Sequence, residues 1–115
     1  MKVVVEIDVG EHQCCGDAIE LSQLVDLPCT RWQDSDGRIR LLEAFHETPV
    51  ETRARGRVTD LAAVFDDGSS LPIARVPGGA ALRGFDEHDD GHLEVPWTGE
   101  LIAGVGRAFL VTVKL

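Results

Sequence analysis

Two adjacent thiols close behind an imidazole form the chain's most distinctive chemical cluster: His12, Cys14 and Cys15 fall within four positions. Thiolate and imidazole are the ligands zinc favours in a tetrahedral site. Adding Cys29 and His46 completes a candidate ligand set of His12, Cys14, Cys15, Cys29 and His46, with zinc as the candidate cofactor. The spacing matches no structural zinc knuckle, because no Cys-x-x-Cys is present. On a strand, adjacent cysteines also point to opposite faces, which leaves one of the pair to ligate beside His12. The same residues admit two other readings. One is a redox or nucleophilic thiol; the other is plain packing, with one cysteine in the core and its neighbour at the rim. A disulfide between the neighbours would require distorted peptide geometry, and three cysteines in a reducing compartment read as free thiols.

Further residues with chemical potential are sparse. The acidic run Asp86-Glu87-His88-Asp89-Asp90-Gly91-His92 offers oxygen and imidazole ligands. An EF-hand frame starting at Asp86 places Gly91 correctly but puts Trp97 where the bidentate Glu belongs, so a solvated acidic turn or a looser cation loop remains. Ser69-Ser70 lies in a turn signal outside any nucleophile-elbow pattern. A Cys15–His46 pair can be drawn, though no further residue supports it. Arg53, Arg55 and Arg57 alternate as one exposed cationic stripe, suited to an anionic ligand or to surface ion pairs.

The elements that would carry these residues read mainly as strands. Val3, Val5, Ile7 and Val9 alternate with polar neighbours until Gly10; period two with β-branched residues is a strand signature. Ile19, Leu21 and Val25 suggest a second strand. Asp34-Ser35-Asp36-Gly37 is hairpin-turn chemistry. Residues 38–46 fit either a strand, through Ile39 and Leu41, or a helical face of Leu41, Leu42 and Phe45; the preceding turn favours the strand. Gly56 to Phe65 and Leu71 to Val76 flank Asp67-Gly68 as a hairpin, and Pro77-Gly78-Gly79 closes that unit. Phe109, Val111, Val113 and Leu115 make a last strand, expected to be paired into the sheet. The expected fold is all-β: one domain over residues 1–115, a small barrel or sandwich of six or seven short, mostly antiparallel strands.

Composition narrows the function classes. The chain has 115 residues, enough for one core without disulfide staples. Twenty Asp and Glu oppose 11 Lys and Arg, a net charge of −9 that repels phosphate backbones and anionic lipid. Four Phe, two Trp and no Tyr leave little for stacking bases. Nucleic acid and membranes are therefore not expected partners. The N-terminus meets Glu6 and Asp8 before a signal-peptide core could form, and no run reaches membrane-spanning length, so a cytoplasmic location is expected.

The run Cys14-Cys15-Gly16-Asp17-Ala18-Ile19 resembles a small actinobacterial domain family of unknown function with an early Cys-Cys-Gly-x-Pro-(Phe/Ile)-x-x-Gly-Asp pattern. Ala18 replaces its proline, and Ser22-Gln23 stands where Gly-Asp belongs, as in a divergent member. Gly56-Arg57-Val58-Thr59-Asp60-Leu61 is similar to that family's central Gly-x-Val-x-x-Ile strand. Ala108-Phe109-Leu110-Val111-Thr112-Val113 resembles its closing aromatic-x-Val strand. The resemblance implies no activity. The expected function is that of a non-enzymatic β-barrel module that contacts a protein partner or a second copy of itself. The alternative is a metal- or thiol-dependent site at His12, Cys14, Cys15, Cys29 and His46.

Overall fold

The computed structural model describes residues 1–45, 48–104 and 106–115. Its elements run β1 (Lys2–Asp8), α1 (Val9–Cys15), β2 (Ile19–Glu20), β3 (Leu24–Gln33), β4 (Ile39–Glu43), β5 (Thr52–Val64), β6 (Ser70–Pro72), β7 (Arg75–Val76), α2 (Gly79–Leu82), β8 (Leu93–Glu94), β9 (Leu101–Ile102) and β10 (Ala108–Lys114). Six strands form one mixed sheet in the order β10-β1-β4-β3-β5-β6, and β10 also pairs with β5. The pairs β2–β7 and β8–β9 are separate two-stranded ribbons. Of residues 38–46, Ile39–Glu43 form a strand following the Gly37 turn, whose φ of 87° suits glycine, and His46 lies outside the described residues.

The alternating patterns seen in the sequence become the two faces of this sheet. Val5 and Ile7 of β1 and Phe109, Val111 and Val113 of β10 are wholly buried, whereas Val4 is half exposed. β1 and β10 pair antiparallel along their whole length, from Lys2↔Lys114 to Asp8↔Ala108. Each fully buried side chain of this kind contributes about 1.5–3 kcal/mol. Cys29, Val58, Leu61, Ala63, Ile73 and Leu93 complete the core from the other elements.

Strand β5 is the longest element at 13 residues and serves three neighbours, β3, β6 and β10. Its first half pairs with β3, from Thr52↔Cys29 to Arg57↔Leu24, and its second half pairs with β10. Near Thr59 the β5–β10 register slips by one residue, a bulge that bends the strand as it changes partner. Gly56 lies at this crossing. A Cβ built there would fall 2.0 Å from the Lys114 carbonyl oxygen, so the two backbones approach more closely than any side chain permits.

Three features depart from the sequence reading. The described residues contain ten strands rather than the six or seven expected, while the parallel pair β1–β4 among antiparallel pairings fits the mostly antiparallel expectation. Residues 9–15 form a helix instead of a strand end and a polar loop. Asp8 caps it by accepting from the Glu11 N–H at 3.0 Å, and Glu11 places an acidic side chain in the first turn. That local hydrogen bonding overrides the alternation that carried the strand pattern through Val9. The segment after Pro77 also turns into a short helix, α2, rather than a simple turn.

Replacing Gly56 by Ala is expected to lower unfolding free energy by about 2–3 kcal/mol, since the clash is with backbone and not with a side chain that can move. Urea denaturation of the two proteins measures the difference; an unchanged midpoint would contradict the close β5–β10 approach.

Candidate functional site

Helix α1 brings the sequence-predicted cluster to one end of the sheet. Val9 and His12, three positions apart, face inward. His12 is almost completely buried, and its ring meets Phe109 edge-to-face with centroids 5.8 Å apart. The His12 Nε2–H donates to the Pro77 carbonyl at 2.8 Å, which fixes Nδ1 as the unprotonated acceptor. Among the described residues Nδ1 makes no hydrogen bond, although it is buried. Burial lowers the pKa of His12, opposed by the Pro77 carbonyl and the charge of Asp17, so the ring is neutral near neutral pH.

Gly16 follows the helix and closes over that ring. Its N–H caps α1 by donating to the His12 carbonyl at 2.8 Å, and its carbonyl accepts from the Gly79 N–H, also at 2.8 Å. A Cβ at Gly16 would lie 2.0 Å from His12 Nδ1, so the position has no room for one. Gly79 is as tight: a Cβ there would fall 2.5 Å from the His12 carbonyl oxygen. Two glycines thus let α1, the 16–18 segment and α2 dock backbone to backbone around one imidazole.

Beside this junction lies a cleft of about 310 Å³, walled by His12, Cys15, Gly16, Asp17 and Ala18 on one side, by residues 23–28 on another, and by Glu43. Cys14 and Cys15 are both exposed and are joined by a disulfide at the end of α1. This corrects the expectation of free thiols and of adjacent cysteines on opposite strand faces. The pair ends helix α1 instead of lying on a strand. Neither cysteine packs in the core; the third, Cys29, does. Its thiol donates to the Leu27 carbonyl at 3.3 Å, and burial pushes its pKa up.

Glu43 is the residue that sequence reasoning missed. It stands opposite Cys29 in the β3–β4 register and shares the inward parity of Leu41. Burial, reinforced by the charges of Asp17 and Glu11, raises its pKa to about 7. The signal was present in the alternation Ile39, Leu41, Glu43, where a carboxylate occupies an apolar-facing position.

The five proposed zinc ligands are placed differently from one another. His12 is committed to Pro77, Cys14 and Cys15 to each other, and Cys29 to the Leu27 carbonyl, while His46 lies outside the described residues. Among the described residues, the group of three or more metal-binding side chains whose ligand atoms lie within 4.8 Å of one another is Asp89, Asp90 and His92. Those groups are already engaged with neighbouring side chains. Arg75 bonds both Asp89 oxygens at 2.5 and 2.6 Å, which holds that carboxyl down at about 2, and His92 bridges Asp90 and Glu94, whose hydrogen bonds raise its pKa. The arginines of the stripe are also engaged: Arg53 and Arg55 both pair with Asp26, and Arg57 donates to the Ser22 carbonyl.

No protein-family model, curated protein or solved structure matches the chain. No helix among the described residues is long and apolar enough to cross a membrane.

Two outcomes follow from this geometry. Gly16→Ala is expected to cost about 2–3 kcal/mol through collision with His12, because the φ of −77° at Gly16 strains no residue and leaves sterics as the only penalty; chemical denaturation reads it directly. For Glu43 the folded state holds its proton more tightly than the unfolded state does. Its contribution is therefore complete below a pH of about 4.5 and is lost as pH rises through about 7. Glu43→Gln should accordingly stabilise the protein on the alkaline side of that window by about 1–2 kcal/mol, the full shift being reduced by partial exposure, and change little on the acid side. Denaturation midpoints at the two ends of the window check this, and a pH-independent effect would refute it.

Proposed function

We propose that the chain is a small closed β-barrel that acts by protein contact without catalysis, and that it associates with a second copy of itself through the seam between β1 and β4. The closed-barrel reading is supported by the cycle of pairings β10–β1–β4–β3–β5–β10, which returns to its starting strand. The seam is the single observation that carries the contact. β1 pairs with β10 through seven residues but with β4 at only Val5↔Leu41 and Glu6↔Leu42. Ahead of those pairs the strands part, and a groove of about 420 Å³ opens between them.

The groove is apolar, with Val3, Val4, Ile39, Leu41 and Leu110 on its walls and the Glu6–Arg40 ion pair across it. Ile39 is 66% exposed, and Trp32, opposite Arg40 in the β3–β4 register, is 57% exposed. An open strand edge among exposed apolar side chains is a surface that other strands pair with, and two copies of one edge are self-complementary about a two-fold axis. The Cys14-Cys15-Gly16 run keeps the resemblance to the actinobacterial Cys-Cys-Gly family within this reading.

Charge sets the sign of the test. Each copy carries −9, so like-charge repulsion opposes the dimer and salt screens it. Sedimentation velocity over a wide concentration range should show a monomer–dimer equilibrium that strengthens with added salt. Ile39→Lys should weaken it by about tenfold or more while leaving the circular dichroism spectrum unchanged. A monomer at every concentration and salt level would rule the self-association reading out.

A further inference from the structure

Independently of the seam, the structure assigns to the cleft beside α1 a second activity: we propose that Cys14–Cys15 is a dithiol–disulfide couple that exchanges with small neutral or cationic thiols. Three observations meet there. The disulfide is exposed, and Cys15 lines a cleft of about 310 Å³ that can admit a small molecule to its sulfur. Asp17 and Glu43 line the same cleft, Glu11 projects its charge onto Glu43, and no ion pair to any of the three occurs among the described residues. Asp26, also on the wall, is ion-paired to both Arg53 and Arg55, so the selecting charge is that of Asp17 and Glu43. The uncompensated carboxylates favour positive charge and repel an anionic thiol.

The exchange balances with two thiols of the small molecule. One, as thiolate, attacks the Cys15 sulfur; a mixed disulfide forms, the Cys14–Cys15 bond breaks, and Cys14 leaves as a thiolate that takes a proton from solvent. A second thiolate attacks the small-molecule sulfur of the mixed disulfide and releases Cys15, which is also protonated. The protein gains two electrons and two protons, and two small thiols become one small disulfide. Cys29 takes no part, being buried and hydrogen-bonded within the core.

Cysteamine and cystamine serve as the cationic redox pair, and 3-mercaptopropionate with its disulfide as the anionic one. The protein is equilibrated across a series of thiol-to-disulfide ratios, trapped with an alkylating agent under denaturant, and its labelled cysteines are counted by mass. The expected count is one in the oxidised limit and three in the reduced limit, with Cys14 and Cys15 changing together. Persistent labelling of both, or mixed disulfides alone, across the whole cystamine series would overturn the couple. On the alkaline side of neutrality and at low ionic strength, reduction by cysteamine should be roughly tenfold faster than by 3-mercaptopropionate, each rate referred to its thiolate concentration. The gap should narrow with salt and in Glu43→Gln and Asp17→Asn. Equal rates in the wild type, or a gap unmoved by both variants, would overturn the assigned selectivity even if the couple stands. A dimer lost in Ile39→Lys with exchange intact separates this site from the seam.

Discussion

Strand β10 has a partner on each edge, and most of the structure depends on that fact. β1 lies along one side and β5 along the other, so the ladder groups of its backbone are used within the protein and its inward side chains Phe109, Val111 and Val113 are sealed from water. Neither neighbour could achieve this alone. A two-stranded ribbon exposes one edge and one face, and is marginal in water. The double pairing also explains why β5 must be long, bulged and glycine-bearing at its crossing point: it pairs with β3 along its first half and with β10 along its second.

The same constraint positions the candidate site. β1 runs without a loop into α1, with Asp8 serving both as the last strand residue and as the helix cap. Pairing of Asp8 with Ala108 therefore fixes where the helix starts, and Phe109 supplies the ring against which His12 rests. From there the order is steric. His12 fills the space under Gly16, its Nε2–H reaches the Pro77 carbonyl, and the glycines at 16 and 79 allow α2 to approach. The cleft and the exposed disulfide are what this packing leaves at the surface.

Acidity acts differently in different places. At the far loop, Asp89 and Asp90 are matched by Arg75 and His92, and on β3 Asp26 is matched by two arginines. Around the cleft, Glu11, Asp17 and Glu43 gather without such compensation, and burial adds to their mutual repulsion at Glu43. A net charge spread over the whole chain thus becomes a local field at one cleft. The β1–β4 seam has the opposite character: its one ion pair is internally balanced, and its walls are apolar.

Period-two alternation determined the strands at both ends, the Asp-Gly turns determined the hairpins at residues 34–37 and 66–69, and the apolar parity of those strands identified much of the core. These are local properties, written in neighbouring residues. The helix at 9–15 was legible only in the Asp8 and Glu11 pairing, which the alternation through Val9 masked. The sequence also showed that His12, Cys14 and Cys15 were chemically concentrated, but not that the cysteines bond each other or that the imidazole is turned inward. Only the tertiary structure decided which strands meet, that β1 and β4 run parallel and part early, and that Glu43, remote in sequence, shares a cleft with Cys15. Those outcomes depend on contacts between residues far apart in the chain, where register, burial and backbone approach are set by the whole sheet and by no single segment.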